Sequence, residues 1–269
     1  MFERVTLSAF NPGPMTGDGN NTYLLVGSDA RGVLIDAGVG DARHIDAIRS
    51  ALNARHASLS DVLVTHAHGD HIAGVPALAR EFPDARFRKY LWPDHDARYP
   101  AAWLSINDGE SIQVGDDRLI AVFTPGHAPD HIAFWHEGSR AAFTGDLVVS
   151  GTTVLIAASK GGSLREYLAS LDRIRALDAQ QLLPAHGPAI GNPANILTHY
   201  VEHRARREAQ ILAALRSGHD TVQAIVETIY HGLPHALMPA ATENVRAHLA
   251  KLGDEGRAAT DGDRWFLLS

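Results

Sequence analysis

Short apolar runs alternate with polar, glycine-rich turns through the first two thirds of the chain. Val5–Phe10, Thr22–Gly27 and Gly32–Asp36 are rich in β-branched and other apolar residues, and turns containing Pro, Gly or Asp separate them. Each of these runs predicts a strand, and their close spacing favours antiparallel pairing. Asp41–Arg55 and Ser163–Ala176 instead repeat apolar residues at helical spacing and predict amphipathic helices.

The pattern changes in the last fifth of the chain. Val222–Tyr230 and Thr242–Leu252 predict two helices, and Gly256–Leu268 predicts a hairpin closed by a tight Asp-Gly turn. Helices that end in such a hairpin are typical of a winged-helix-like module. Because Trp265 and Phe266 are large and apolar, we expect them to be buried where the hairpin packs.

Composition narrows the class of protein. The 269 residues carry a net charge of −7 and include no cysteine. The acidic balance disfavours a dedicated nucleic-acid binder, which would usually be basic, and the lack of cysteine excludes a disulfide framework and thiolate chemistry. No apolar run approaches the roughly 18 residues of a membrane-spanning helix, and the first residues lack the pattern of a signal peptide. We therefore expect a cytoplasmic protein without membrane association.

One segment concentrates histidine and aspartate. His66-Ala-His68-Gly-Asp70-His71 follows an apolar run that predicts a strand and precedes Ile72–Phe82, which predicts a helix. Residues two apart share a side of an extended chain, so His66 and His68 can face one metal ion. Asp70 and His71 lie where the chain turns into the helix and can face a second ion nearby. Imidazole and carboxylate ligands suit zinc, with iron and manganese as alternatives.

Further motifs follow in chain order, each after an apolar segment: Thr124-Pro-Gly-His127, Phe143-Thr-Gly-Asp146 and Leu183-Pro-Ala-His186. Together with the first motif, they resemble the signature of the metallo-β-lactamase superfamily. Upstream, Asn11-Pro-Gly-Pro-Met and Asn20-Asn-Thr-Tyr-Leu-Leu resemble its β-lactamase-like protein 2 group, whose animal member is an endoribonuclease. The resemblance covers nearly the whole chain; it is very specific for the metal site and weakly informative about the substrate.

The resemblance implies a fold and a division of the chain. It implies an α/β (α+β) architecture, namely a four-layer αββα sandwich in which helices cover two central sheets. With the change of pattern near the C-terminus, it predicts a catalytic domain in residues 1–192 and a helical, winged-helix-like module in residues 193–269.

The resemblance also implies a seven-residue ligand set for two metal ions per chain. One ion would be held by His66, His68 and His127, the other by Asp70, His71 and His186, and Asp146 would bridge them. Two zinc ions held in this way would share a hydroxide, which is the nucleophile of a metal-dependent hydrolase. Asp70 would also orient this hydroxide and later pass on its proton, so it is the expected catalytic residue.

Asp36 and His131 are candidates for supporting the ligands from behind. Asp36 follows an apolar strand, and the matching aspartate of the superfamily supports the metal site, although an aspartate that only caps a turn is an equal alternative. His131 lies four residues after His127. We expect a structural or supporting role for it, because the implied ligand set is complete without it.

The sequence leaves the substrate open. A small ester, thioester or lactone fits the acidic charge and the irregular segment Pro93–Asn107, which contains Tyr99 and Trp103, follows Trp92 directly and could wall a cleft. The resemblance implies the alternative, a phosphodiesterase acting on single-stranded RNA, which needs a basic track along the cleft. The modest candidates for that track are Arg204, Arg206, Arg207 and Arg246. A third alternative is a non-catalytic binding protein on the same fold, against which the ligand set argues. The C-terminal module could bind DNA, pack on the cleft or form a homodimer.

Overall fold

The computed structural model describes residues 1–268 and pairs the strands into two large sheets and one hairpin. The strands are β1 (Glu3–Ser8), β2 (Asn21–Val26), β3 (Arg31–Ile35), β4 (Ser58–Leu63), β5 (Arg86–Lys89), β6 (Trp103–Ser105), β7 (Ser111–Val114), β8 (Asp117–Phe123), β9 (Ile132–His136), β10 (Ala141–Gly145), β11 (Gln181–Pro184), β12 (Ala258–Asp261) and β13 (Arg264–Leu267). The strand order is β1-β2-β3-β4-β5-β6 in the first sheet and β11-β10-β9-β8-β7 in the second, and β12 pairs with β13.

The direction of pairing changes within each large sheet. β1, β2 and β3 pair antiparallel, which confirms the pairing predicted for the early strands, whereas β3 to β6 run parallel. In the second sheet β7 to β10 are antiparallel, and β11 is parallel to β10. Parallel neighbours need crossover connections, which the helices supply.

The α-helices are α1 (Ala42–Asn53), α2 (Gly69–Ile72), α3 (Val75–Glu81), α4 (Pro93–Asp96), α5 (Leu164–Ala176), α6 (Pro193–Arg216), α7 (Val222–Ile229) and α8 (Met238–Asp254). The outer face of the first sheet is covered by α1 and α3, and that of the second by α5 and the start of α6. Alternate residues of β2 show the layers: Tyr23 and Leu25 pack between the sheets, while Leu24 and Val26 pack beneath α1 and α3. The four-layer αββα sandwich is therefore confirmed, and strands buried on both faces explain the nearly continuous apolar runs.

The helix predicted over Ile72–Phe82 is interrupted. α2 ends at Ile72, and α3 begins at Val75 with Pro76 in its first turn, where the missing N–H needs no partner. Between the two helices, Gly74 lies so close to the chain that a Cβ there would be 2.0 Å from the carbonyl oxygen of Ala37. The break therefore lets the metal-motif segment pack closely on the loop that follows β3.

α6 joins the sandwich to the C-terminal module. Its Leu197 and Tyr200 pack in the core beside the second sheet, and its Ile211 and Leu215 pack in the core of the module with α7 and α8. The winged-helix fold is confirmed, but the expected burial of Phe266 was wrong, because its side chain is 47% exposed. The boundary after residue 192 stays a prediction. None of the helices in residues 1–268 combines the length and the apolar stretch that crossing a membrane requires.

Candidate metal centre

The predicted ligands meet at one edge of the sandwich because each follows a strand that ends there. His66 follows β4, His127 follows β8, Asp146 follows β10 and His186 follows β11. Before His127, Gly126 has φ +126°, and a Cβ there would be 2.2 Å from the backbone nitrogen of Tyr167. Only glycine permits this turn.

The first group consists of imidazole nitrogens that face one another. Nδ1 of His68 lies 2.9 Å from Nε2 of His66 and 2.9 Å from Nε2 of His127. Asp146 Oδ2 lies 3.6 Å from Nε2 of His127. One ligand atom from each of these residues can be chosen so that all lie within 4.8 Å of one another, which is the convergence that a single metal ion needs.

Hydrogen-bond partners on the far side of the rings assign their tautomers. His127 Nδ1 lies 2.9 Å from the carbonyl oxygen of Leu155, so Nδ1 carries the proton and Nε2 presents a lone pair. Thr65 Oγ1 donates its proton to Asp36 Oδ2, so it accepts a hydrogen bond from His66 Nδ1, which lies 3.0 Å away and therefore also carries the proton. Burial holds the pKa of His66 well below its usual range, and burial with repulsion from His127 lowers the pKa of His68 to about 3. The rings are therefore neutral and can offer nitrogen lone pairs to a metal cation.

The second group mixes imidazole with carboxylate. His186 Nε2 lies 3.3 Å from Asp70 Oδ2 and 3.2 Å from Asp146 Oδ1, and His71 Nε2 lies 3.4 Å from each of these oxygens. Burial by itself would raise the pKa of both aspartates, but His71 and His186 hold both values well below their usual range. Burial would likewise lower the pKa of His186, yet the carboxylates raise it to about 9. This group therefore attracts positive charge.

Asp146 links the two groups, because it belongs to both. Its buried Oδ1 lies 3.2 Å from His186 Nε2 and 3.4 Å from His71 Nε2, but it accepts no well-aligned hydrogen bond within residues 1–268, although a buried carboxylate oxygen normally has such a partner. Inward lone pairs, ionised carboxylates and this poorly satisfied oxygen fit a pair of divalent cations. The structure thus brings together all seven residues that the sequence predicted.

Asp36 and His131 lie directly behind the candidate ligands. Asp36 has a left-handed backbone conformation, with φ 66°. Its Oδ2 lies 2.8 Å from Nδ1 of His71, and its Oδ1 accepts a hydrogen bond from Thr65 N at 2.8 Å. His131 Nε2 accepts a hydrogen bond from the backbone nitrogen of Asp146 at 3.2 Å. Such contacts fix ring orientation and ligand position.

Asn20 is a site residue that sequence reasoning missed. It is 1% exposed, and its Nδ2 donates to Asp70 Oδ2 at 3.0 Å and lies 3.2 Å from His71 Nε2. The side chain of Asn11 in turn donates to Asn20 Oδ1 at 2.6 Å. In the sequence, both asparagines contributed only to the family resemblance. The position of Asn20 directly before an apolar run that predicts a strand was the one local signal that could have indicated its place beside the ligands.

Cavities flank the centre. One of about 560 Å³ opens beside His68, and Trp92 and Tyr99 form part of its wall. The expected aromatic wall is therefore present, but Trp103 does not line this cavity; its Nε1 donates to the carbonyl oxygen of Tyr99 at 2.9 Å. A second cavity, of about 260 Å³, touches His127, Asp146 and His186, and a third, of about 510 Å³, adjoins both.

The arginines considered for an RNA track do not form one. Arg204 is 2% exposed, and its guanidinium donates to Asn244 Oδ1 at 2.8 Å. Arg207 lies over the ring of Tyr230, 4.4 Å from its centroid. The remaining pairs join Arg206 to Glu202 and Arg246 to Glu243. Of these arginines, only Arg246 lines a cavity that adjoins the centre.

Comparison with known proteins identifies the family. Residues 15–186 match the family described as the metallo-beta-lactamase superfamily. The chain belongs to the metallo-β-lactamase superfamily. Residues 221–265 of this superfamily member match the beta-lactamase associated winged helix domain, and the matched range covers α7, α8, β12 and the start of β13.

Individual relatives agree with this membership. The superfamily member is 33% identical to a beta-lactamase-like protein 2 homolog from Caenorhabditis elegans, over 91% of this chain and 82% of that protein. It is 36% identical to an atrochrysone carboxyl ACP thioesterase from Aspergillus fumigatus, over 83% and 72%. The fold matches a metallo-beta-lactamase family protein from Thermus thermophilus with a TM-score of 0.80 and 23% identity, over 98% of both chains.

The protein is therefore a hydrolase of the metallo-β-lactamase superfamily, a fold that implies divalent metal binding. The non-catalytic alternative is excluded by the family and by relatives named for their enzymatic activity.

Proposed function

We propose that the protein is a dinuclear-zinc hydrolase that cleaves a small carboxylic ester, thioester or lactone. The observation that carries the proposal is the sharing of Asp146 between two ligand groups. His66, His68 and His127 would hold one ion, and Asp70, His71 and His186 the other. Iron and manganese would accept the same donors, so elemental analysis decides the metal.

When bound, the metal pair would polarise the carbonyl oxygen and lower the pKa of a water molecule towards neutrality. The residues around the metal pair position the attacking water and the ligand side chains, and they transfer protons. Asp70 would orient the attacking water and accept its proton, and Asn20 holds the carboxylate of Asp70 through its 3.0 Å hydrogen bond. Asp36 keeps the proton of His71 on Nδ1, so that Nε2 faces the centre.

The cleft supports a carbonyl substrate. Met15, Val149, Leu155 and Leu237 line the cavity beside His127, and apolar walls favour an uncharged acyl group. The Aspergillus fumigatus relative is named as a thioesterase, which is consistent with this chemistry. RNA, which the resemblance implied, would need a basic track that the four arginines do not form. The homodimer and the cytoplasmic location stay predictions.

A screen with defined metal content tests the proposal. Purified protein is loaded with zinc, analysed for metal and assayed in parallel on thioesters, lactones, a bis-aryl phosphodiester and single-stranded RNA. We expect two ions per chain and hydrolysis of the carbonyl substrates that is lost in His68→Ala. The matched control is His199→Ala, since His199 is exposed on α6 and lines none of the cavities beside the centre.

Two outcomes would contradict the proposal. A stoichiometry that stays at one ion or fewer after loading would overturn the dinuclear centre. RNA cleavage that falls steeply with salt and disappears in His68→Ala, without any esterase or thioesterase activity, would replace the proposed substrate with RNA.

A further inference from the structure

The cleft at the metal centre has two arms, one with cationic side chains and one with mainly apolar side chains. The cationic arm is the cavity of about 560 Å³ beside His68, and its wall includes Arg98 and Lys160. No carboxylate lines it, and both cations are exposed and form no ion pair within residues 1–268. The stacked rings of Trp92 and His95, with centroids 3.6 Å apart, complete this wall.

The apolar arm meets the cationic arm at Lys160, which lines both. Met15 and Leu237 both line its two cavities, of about 510 Å³ and 260 Å³, and the smaller one reaches His127 and Asp146. The larger cavity is also lined by Arg246 and Glu243, which form an ion pair with each other. Their side chains are 68% and 47% exposed, respectively. Large exposed apolar side chains grouped beside a reactive centre mark a surface that a ligand covers.

The C-terminal module builds one side of the apolar arm. Leu237 ends a short 3₁₀ helix just before α8, and Ala240 lies in the first turn of α8. The module is held against the sandwich because Glu243 Oε2 accepts a hydrogen bond from Ser159 N at 2.9 Å. The wall that Leu237 and Ala240 add to the apolar arm is therefore present only when the module is docked.

We propose that the protein hydrolyses thioesters in which an apolar acyl chain is joined to a phosphate-bearing thiol carrier. The acyl chain lies between Met15 and Leu237, and the phosphates of the carrier lie near Arg98 and Lys160. Charge complementarity selects the carrier and apolar burial selects the chain. This assignment rests on the proposed hydrolase function and adds the class of substrate.

The reaction balances with water as the only co-reactant. The water oxygen forms a bond to the carbonyl carbon, and the carbon–sulfur bond breaks with its electron pair left on sulfur. The sulfur leaves as a thiol after taking up one proton, and the acyl group leaves as a carboxylate with release of the other proton.

Four thioesters separate the two arms in a kinetic test on the zinc-loaded, full-length protein. Acetyl and decanoyl groups are each presented on coenzyme A, which carries phosphates, and on N-acetylcysteamine, which is uncharged. We expect the highest kcat/KM for decanoyl-coenzyme A. Arg98→Glu/Lys160→Glu should lower kcat/KM about 10-fold for decanoyl-coenzyme A, more at low salt, and leave decanoyl-N-acetylcysteamine nearly unchanged.

Leu237→Asp addresses the apolar arm. It should lower kcat/KM about 10-fold for both decanoyl substrates and spare both acetyl substrates, since only the long chain reaches Leu237. If Leu237→Asp disturbs folding, Leu237→Ser replaces it; we expect the same pattern with a smaller decrease in kcat/KM. Matched controls are Arg118→Glu and Leu268→Asp, because both residues are exposed and line none of the cavities beside the centre.

The outcomes distinguish this proposal from the function on which it rests. If the wild type hydrolyses all four thioesters equally and the cleft variants behave like the controls, the assignment of the arms is wrong while the hydrolase function stands. If no thioester is hydrolysed under conditions where another substrate class is turned over, both the thioester proposal and the assignment of the arms fail.

Discussion

A substitution of Lys89 tests which contacts hold the walls of the cleft in place. Its ammonium group is 0% exposed and lies 2.7 Å from Asp96 Oδ1 and 2.8 Å from Asp130 Oδ2. Asp96 belongs to α4 and also accepts a hydrogen bond from Trp92 N at 2.7 Å, so it shapes the wall of the cationic arm. Asp130 lies in the loop after His127. Lys89 thus joins the wall of the cleft to a loop that carries a candidate ligand.

Lys89→Met removes the cation and leaves two buried carboxylates. The side chains of Asp96 and Asp130 are 7% and 1% exposed, so water cannot replace the lost charge. Removing one partner from a buried ion pair typically costs about 3–5 kcal/mol. At about 2 °C per kcal/mol for a chain of this size, we expect Tm to fall by about 6–10 °C.

The loss of stability should depend on pH. Burial raises the pKa of Asp130, and Lys89 counteracts only part of that rise. Without Lys89 the folded-state pKa rises further, so the mutant takes up a proton on folding at low pH. Its deficit should therefore be small near the unfolded pKa of Asp and grow as pH rises through the folded-state pKa.

Thermal unfolding at pH 5 and pH 8 measures both effects. Lys160→Met is the matched control, since Lys160 is exposed and unpaired within residues 1–268, and its Tm should change little. Lys89→Met/Asp130→Asn should recover part of the loss, because it removes one of the stranded charges. A Tm within about 2 °C of the wild type, or a double variant no better than the single one, would refute this reasoning.

Three further predictions concern the centre, the module and a buried histidine. Asp70→Ala should lower kcat at least about 100-fold with an unchanged circular dichroism spectrum; near-wild-type turnover would remove Asp70 from the mechanism. Deleting residues 220–269 should lower Tm and decanoyl-thioester activity, because α6 loses the partners of Ile211 and Leu215; unchanged values would show an independent module. Burial with repulsion from Arg204 lowers the pKa of His248 to about 3, so stability present above about pH 6.5 is lost as pH falls. At pH 5, His248→Leu should remove about 2 kcal/mol of this acid-induced loss in the free energy of unfolding, as measured by urea unfolding. A variant as acid-sensitive as the wild type would contradict this role of His248.

The sequence by itself determined the residue types and local spacings of this protein. The motif from His66 to His71 and the later ligands each follow a strand within a few positions, so the ligand set was predictable from local pattern and family resemblance. The αββα sandwich followed in the same way. The hairpin of the module was predicted from its Asp-Gly dipeptide, because turn chemistry is local; the structure shifts the turn by one residue, to Gly262 and Asp263, since Asp261 pairs with Arg264.

Only the tertiary structure decided which distant side chains meet. Asn20 contacts Asp70, which is 50 positions away in the sequence. Lys89, at the end of β5 in the first sheet, contacts Asp130, in the loop between β8 and β9 of the second sheet. Arg204 looked available for a charged track, but packing buries this α6 residue against Asn244 of α8 and the ring of Tyr167 in α5. The cleft depends on Leu237 from the module facing Met15 from the first loop. These contacts depend on how separate elements pack against one another, which no local pattern encodes.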